Sequence, residues 1–447
     1  MKRILIILAV TAAAAVTAAG QEPLSFQGFV RHETALSVSD VSDAQSLTDI
    51  SIVGKHYIGD YRFFVDIYGA YDTVNGDEGS VELREGYMAA DFKDVSFVLG
   101  KQWVAWGRAD EINPVDMINP EDYSEPLVRD KEDKKIRVPA LSVSRYMGDF
   151  TLTAVLVPDF TPPGLDANSH WVRGILTQMD SLKLYYAERA VAESVPAYLI
   201  EDYVAERLKI EEKGNDIGNS QIGARLSGYV MGTDFSVYYY RGFWSDMSRP
   251  VVFMEGLDAL SGMPDSVTVA FPPFSMYGFD MEKASGSYTF RVEAAYYQDR
   301  YITFDTSRIS DSADFADFNE HRGAGLTDVV KFVAGADRFL GDLYINAQYV
   351  GEYITDHSRL MALDEAYLHS ATLKVSSKFA EDRLEPEIKV MYEITENDMY
   401  LSPKVSYELS DGVKLTAAAD MFTGDEKGTI GQYKTCDQVR ISLKYNF

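Results

Sequence analysis

Cysteine is almost absent from this chain: Cys436 is the only one in 447 residues. That excludes an intramolecular disulfide framework and any zinc site built on cysteine. Histidine is scarce as well, with six residues (His32, His56, His170, His321, His357, His369) scattered outside any pattern that sets a base beside a nucleophile. Hydrolysis needs that pairing, so an enzyme is not expected, and no cofactor is called for. Basic side chains are outnumbered, 42 against 69 acidic, giving a net charge of −27. Phosphate backbones demand a basic stripe, so nucleic acid is excluded as a partner. Beyond residue 21 no apolar run is long enough to cross a bilayer as a helix. Hydrophobic residues nevertheless make up 46%, too many for intrinsic disorder. Aromatics are plentiful, 29 Tyr and 23 Phe, which suits a scaffold or channel better than a hydrolase.

Residues 1–20 read as a secretory leader: Lys2 and Arg3, the apolar run Ile4–Val10, then small residues with Ala18 and Gly20 at the −3 and −1 cleavage positions. The chain from residue 21 to 447 is then exported, and any membrane residence must use strands. Period-2 alternation dominates it. Val413, Leu415, Ala417, Ala419 and Met421 alternate with Lys414, Thr416, Ala418 and Asp420; Leu384, Ile388, Val390, Tyr392 and Ile394 behave likewise. These windows run to about ten residues, the length of a tilted transmembrane strand, whereas sandwich strands stop nearer six.

The connections decide between the two. Tight turns at Gly59-Asp60, Lys93-Asp94, Gly148-Asp149, Gly232-Thr233, Ser285-Gly286, Gly341-Asp342, Glu381-Asp382 and Asp411-Gly412 alternate with longer loops near 37–48, 73–80, 106–137, 159–218, 245–272, 301–325, 355–364, 395–398 and 424–432. A sandwich has no reason to sort its loops by length. The expectation is an all-β, closed antiparallel transmembrane barrel of about 18 strands, 16 being the alternative count, with short periplasmic turns and long extracellular loops. Aromatics beside the short turns (Tyr57, Tyr61, Phe92, Phe97, Tyr146, Phe150, Tyr229, Phe235, Phe339, Tyr344) are expected to form an interfacial girdle. The last strand ends on Phe447, similar to the signal read by the barrel-assembly machinery of a Gram-negative outer membrane.

Eighteen strands leave room for an aqueous lumen. Taking the face opposite the large apolar residues places Arg62, Arg84, Arg225, Arg291, Lys331, Lys374, Lys404 and Arg440 in it, with Lys55, Lys378, Lys389, Lys414 and Lys444. The same rule adds Asp66, Asp280, Glu293 and Glu387, with Glu82, Glu282, Asp337, Glu385, Glu393, Glu408 and Asp420. The two sets nearly balance. They are either wall pairs or the two arcs of a selectivity field, and their placement around the circumference is not readable from sequence.

One loop stands out. Residues 106–137 carry a tandem, Ile112-Asn113-Pro114-Val115-Asp116 and then Ile118-Asn119-Pro120-Glu121-Asp122. Asn-Pro initiates turns, so two stacked turns are expected rather than a floppy loop. Its carboxylates Asp110, Glu111, Asp116, Glu121 and Asp122 have the oxygen chemistry of a calcium site but match no calcium-loop spacing. Gly100, Lys101 and Gln102, then Trp106 and Gly107, then Ile112, Asn113, Pro114 and Asp116, resemble a segment of a family of bacterial outer-membrane porin-like proteins, distantly related to alginate-export barrels. The resemblance spans roughly residues 95–160 and implies a passive channel. Alginate, a polyuronate, would ask for a strongly basic lumen; the sets above are mixed.

In the loop 159–218, Ile200, Val204 and Leu208 fall at i, i+4 and i+8, predicting a helix that folds over the pore or packs on the rim. Function is expected to be diffusion of small polar or organic solutes through a lumen constricted by loops 106–137 and 159–218. The alternative is a non-conducting structural or adhesive barrel, or a sleeve for a secreted or electron-transfer partner.

Overall fold

The computed structural model describes residues 25–38, 44–74, 79–166, 169, 171, 173–214 and 216–447. The leader expected over 1–20 and His170 lie outside them. Among the described residues, eighteen strands form one sheet in which each pairs antiparallel with its neighbours. They are β1 (Ser25–Ser37), β2 (Gln45–Ile58), β3 (Tyr61–Asp72), β4 (Ser80–Phe92), β5 (Val95–Gln102), β6 (Val138–Met147), β7 (Phe150–Val157), β9 (Gln221–Val230) and β10 (Thr233–Phe243). The others are β13 (Pro273–Ser285), β14 (Tyr288–Thr303), β15 (Ala324–Leu340), β16 (Leu343–Ile354), β17 (Tyr367–Ser377), β18 (Leu384–Glu393), β19 (Asp398–Ser410), β20 (Val413–Thr423) and β21 (Gln438–Asn446).

The ring closes where β1 pairs with β21, from Phe29 opposite Asn446 to Ser37 opposite Gln438. Phe447 completes the seam: its amide donates to Gly28 O and the Gly28 amide donates to Phe447 O, each at 3.0 Å. Closure leaves no unpaired edge, the condition for a sheet to sit in hydrocarbon. Among the described residues short and long connections alternate around the ring as expected, with two turns displaced by one residue, to Met231-Gly232 and Gly286-Ser287, and both ends of the ring lie on the short-turn side.

Side chains sort by parity. Ile50, Ile52, Phe63, Val65, Leu99, Leu152, Val237, Phe279, Leu373, Val405, Ile441 and Leu443 are exposed on the outer face, forming the apolar band such a barrel presents to lipid. The inner face carries Asp49, Ser51, Asp66, Ser236, Asp280, Glu293, Asn346 and Asp420, all buried. An outward-facing strand residue is apolar because its alternative is hydrocarbon around a polar group, which costs several kcal/mol.

The expected girdle divides in two. Tyr61, Phe92, Phe97, Phe150 and Phe235 lie on the outer parity, Phe92 against Phe97 and Phe150 against Phe235 edge-on. Tyr57 pairs with Arg62, Tyr146 with Thr151, Tyr229 with Asp234 and Tyr344 with Phe339, continuing the inward alternation to the rim. Proximity to a turn fixes height along the barrel, whereas parity fixes which side a ring takes.

Above the long-loop end, β8 (Leu208–Ile210) pairs parallel with β12 (Ser266–Ala270), which pairs antiparallel with β11 (Val251–Glu255). Helices over Arg173–Ala192 and Ile200–Arg207 pack beside this small sheet. The shorter helix is the one expected from Ile200, Val204 and Leu208. The longer one was not anticipated.

Candidate pore constriction

The loop between β5 and β6 runs inward. Its departure is built by the Gly-Lys-Gln strand end. Gly100 has φ +140, and a Cβ there would lie 2.3 Å from Gly86 O. Buried Gln102 spans to β6, donating to Ala140 O at 2.8 Å and accepting from Ser142 Oγ at 2.9 Å. Trp106 then packs on the wall, its ring tilted against that of Tyr238 at 5.1 Å and filling the space left by Gly223. Gly107, at φ +80, passes so close that a Cβ would lie 2.2 Å from Asn113 Oδ1 and 2.5 Å from Glu293 Oε2. Only glycine fits.

Glu293 on β14 is the principal anchor. One of its oxygens accepts the amides of Arg108 (2.9 Å) and Ala109 (3.2 Å), the other that of Val115 (3.0 Å). Beside it Arg108 Nε donates to Asp280 Oδ1 at 3.0 Å, and Asp280 also accepts from the Tyr238 hydroxyl. Tyr297 Oη donates to Pro114 O at 2.6 Å. Hydrogen bonds to charged groups such as these carboxylates contribute about 1.5–3 kcal/mol net each, and a neutral one such as Tyr297 to Pro114 about 1 kcal/mol, so the cluster fixes the first turn firmly.

The two Asn-Pro units have parallel jobs. Asn113 Nδ2 closes back on Trp106 O at 2.8 Å. Asn119 Oδ1 accepts from Val104 N at 2.8 Å, and its Nδ2 donates to Ile136 O at 2.8 Å and Gln102 O at 3.3 Å. Pro120 O takes the Ile136 amide at 2.8 Å, tying the outgoing limb to the returning one. The stacked turns expected of the tandem are thus held by asparagine side chains.

Charges latch the rest. Lys135, 5% exposed, reaches Glu121 at 3.1 Å and Asp116 at 3.6 Å, and donates to Asp116 O and Asn119 O. Asp116 also meets Lys131 at 3.0 Å, and Glu121 meets Lys134 at 3.1 Å. Burial raises the Glu121 carboxyl, but the ammoniums of Lys135 and Lys134 outweigh it and hold it at about 2. Asp110 accepts from Asn346 Nδ2 at 2.7 Å, Glu111 meets Lys389 at 2.5 Å, and Asp122 accepts from Ser124. All five carboxylates weighed as calcium ligands therefore have protein partners.

These contacts trace a strap. Its tip reaches β14 to β18 through Glu293, Val333, Asn346 and Lys389, the apolar part being Ala109 and Ile112 against Val333 and Val350. Its return limb reaches the opposite wall, β1 to β4. There Arg129 meets Glu33 at 3.7 Å, Asp133 meets Arg31 at 3.2 Å and Arg84 at 3.7 Å, and Arg137 meets Glu85 at 3.7 Å. Burial raises Asp133, and the guanidiniums of Arg31, Arg129 and Arg84 more than reverse it.

The wall charges named from alternation share the inner face, except Lys378, which lies past the end of β17 in the connection to β18, and most pair there. Arg84 meets Asp66 at 2.6 Å, and Arg440 meets Asp420 at the same distance. Glu387 sits between Lys404 (2.8 Å) and Lys374 (3.6 Å), and Lys331 meets Glu352 at 3.6 Å. Arg291 is shared by Glu282, Asp337 and Asp110. Arg62 and Arg225 lie over the rings of Tyr87 and Tyr238. Sequence reasoning missed Arg31, Glu33, Asp49 and Glu85 on the wall and Arg129, Lys131, Lys135 and Arg137 in the loop. Parity places Arg31, Glu33 and Asp49 inward, so a signal existed for those three.

A second layer crosses above. The chain leaving β7 lies on the strap, Gly164 N donating to Glu121 O at 3.0 Å and Tyr123 N to Gly164 O at 2.8 Å. Trp171 then seats on Phe422 and Tyr433 at 5.3 and 5.7 Å, beside β20, half-way round the ring from β7. Between the strap and this side of the wall lies a cavity of about 260 Å³.

The model of a family described as "Protein of unknown function (DUF1302)" matches residues 68–447. The chain belongs to that family. Within the match lie β4 to β21 and the whole strap. Among curated proteins none matches this family member in sequence. Solved structures of similar fold include OccAB1 of Acinetobacter baumannii, at 8% identity and TM-score 0.52 over 96% of this chain and 97% of that one. Salmonella typhi OmpF in complex with daunomycin aligns at 10% identity and TM-score 0.44, covering 95% and 97%. A loop-deleted OmpT of Vibrio cholerae aligns at 10% and 0.41, covering 95% and 99%. The first shares the barrel fold; the other two are looser superpositions.

Proposed function

We propose that this DUF1302 member is an outer-membrane channel for passive diffusion of small polar or organic solutes, with the strap over 103–137 as its constriction. The observation that carries it is the strap itself. A barrel that served only as a wall would gain nothing from lining its lumen with charged pairs and fastening a loop across it at Glu293 on one side and at Glu33, Arg31 and Glu85 on the other. On this proposal residues 1–20 export the chain, Phe447 presents the last strand to the assembly machinery, and the short turns face the periplasm of a diderm bacterium. Most of the mixed charges are paired with one another, which disfavours a polyuronate as cargo despite the resemblance to alginate-export barrels.

A second reading, a non-conducting sleeve or adhesive barrel, draws support from the double crossing of the lumen by the strap and by the chain to Trp171. Proteoliposome uptake separates the two. Neutral solutes of increasing size should enter vesicles holding the protein, with a sharp size limit that rises when residues 160–217 are removed. A barrel that is folded yet admits nothing, with or without that deletion, would leave the sleeve standing.

A further inference from the structure

On β14 the register slips between Tyr297 and Arg300, with Asp299 at φ +62, and the slip turns Arg300 into the cavity above the strap. Arg300 is 7% exposed, yet its Nε and Nη1 have no hydrogen-bond partner among the described residues. Its guanidinium lies on the face of Trp244, 3.0 Å from the ring centroid, and Trp244 Nε1 also lacks an acceptor. Two neighbouring buried side chains that can only donate, both lining one cavity, leave the same thing wanting: an acceptor.

The other cations of the cavity are not in that position. Arg249 meets Glu352 at 2.8 Å, Lys331 meets Glu352 at 3.6 Å, and Lys134 and Lys135 meet Glu121 at 3.1 Å. Arg300 forms no ion pair with a described carboxylate, and stacking on an indole orients the edge of its planar fork while leaving its N–H groups open. Tyr297, Tyr433 and Met391 supply apolar lining around it. The cavity, about 260 Å³, lies just below the range of roughly 300 Å³ and upward typical of drug-sized ligands.

We infer that this cavity is a binding subsite for a small organic monoanion, a carboxylate on an aromatic or similarly flat apolar body. Its carboxylate docks on the edge of Arg300 with Trp244 Nε1 as a further donor, and its body lies among Tyr297, Tyr433 and Met391. A single negative charge suffices, because one guanidinium is unpaired and the surrounding Asp246, Glu352 and Glu393 repel a dianion. The inference rests on the channel proposal for its purpose, a solute paused at the mouth before the constriction, but the site binds or does not bind independently of conduction.

The test uses the full chain in detergent and in planar bilayers, with benzoate as probe and benzamide as its neutral counterpart. Calorimetry should show saturable benzoate binding, at least tenfold weaker for benzamide and for Arg300→Gln, and partly restored in Arg300→Lys; a heat-modifiable electrophoretic band certifies that each variant is folded. A second variant, Trp244→Phe, keeps the stack, removes the indole donor and should weaken binding by a smaller factor. Saturable benzoate binding lost in R300Q, in a protein that carries no current, would leave the subsite standing and remove the channel. Normal conductance with no saturable benzoate binding, or binding unchanged in R300Q, would overturn the subsite and leave the channel intact.

Discussion

Replacing Lys135 by Met should unlatch the strap. The ammonium is buried between Asp116 and Glu121 and donates to two backbone carbonyls, Asp116 O at 3.0 Å and Asn119 O at 3.2 Å. Removing one partner of a buried ion pair typically costs about 3–5 kcal/mol. Here each carboxylate keeps a second lysine, Lys131 or Lys134, so the lower end applies. Two carbonyls lose a donor as well, at roughly 1 kcal/mol or more each. The ion-pair loss alone, about 3 kcal/mol, corresponds to a roughly hundredfold rise in the population with the strap displaced, and with the two carbonyls the total of about 5 kcal/mol raises it to several thousandfold. The barrel closes through main-chain pairing far from Lys135, so its fold should survive. In bilayers the variant should show frequent excursions to a higher conductance, and protease added to the folded protein should cut within 108–134 faster than in wild type. Lys135→Arg should behave as an intermediate. A folded K135M protein with wild-type current noise and wild-type protease resistance would refute the assignment of these charges as the latch.

Four further outcomes follow from the geometry. Gly107→Ala places a Cβ 2.2 Å from Asn113 Oδ1 and should loosen the same strap by about 1–3 kcal/mol, read as faster proteolysis without loss of the barrel's heat-modifiable band. Acid should release the latch late: Glu121 is held at about 2 against an ordinary 4.5, so the stability it contributes is full above about 4.5 and disappears as pH falls toward 2. Current noise should therefore rise between pH 4 and 2. Arg291→Glu leaves Glu282, Asp337 and Asp110 uncompensated and should move the reversal potential in a salt gradient toward cations; an unchanged potential would mean that cluster does not face the permeation path. Deleting Phe447 removes both hydrogen bonds to Gly28 at the seam and should lower the folded fraction recovered from the outer membrane, measured by heat-modifiability.

The barrel was legible because hydrocarbon enforces it residue by residue: a strand such as Val413–Thr423 cannot put Lys414 and Leu415 on the same side. The short helix was legible for the same reason, its apolar positions falling on one stripe. The helix Arg173–Ala192 was not, because Leu182, Leu184, Tyr185 and Tyr186 run nearly in succession and mark no single face. Leu184 is 62% exposed while Tyr186 is fully buried, its hydroxyl on Pro264 O. The three-stranded sheet escaped notice because Leu208–Ile210 and Ser266–Ala270 pair in parallel across separate loops, with no turn between them to announce it. For the strap, the sequence showed its turns but not where they go. Its anchors, Glu293 against Arg108 and Asn346 against Asp110, lie 185 and 236 residues away in sequence, and no local pattern carries such a pairing.

Single-channel conductance in planar bilayers tests the central claim most directly, comparing the intact chain with one in which residues 108–134 are replaced by a short Gly-Ser turn. A strap that spans the lumen from Glu293 to Glu33 predicts small, discrete conductance steps for the intact protein and steps several-fold larger once it is excised. Equal steps from two folded proteins would show that the strap does not narrow the path, and silence from both would show that the barrel is not a channel.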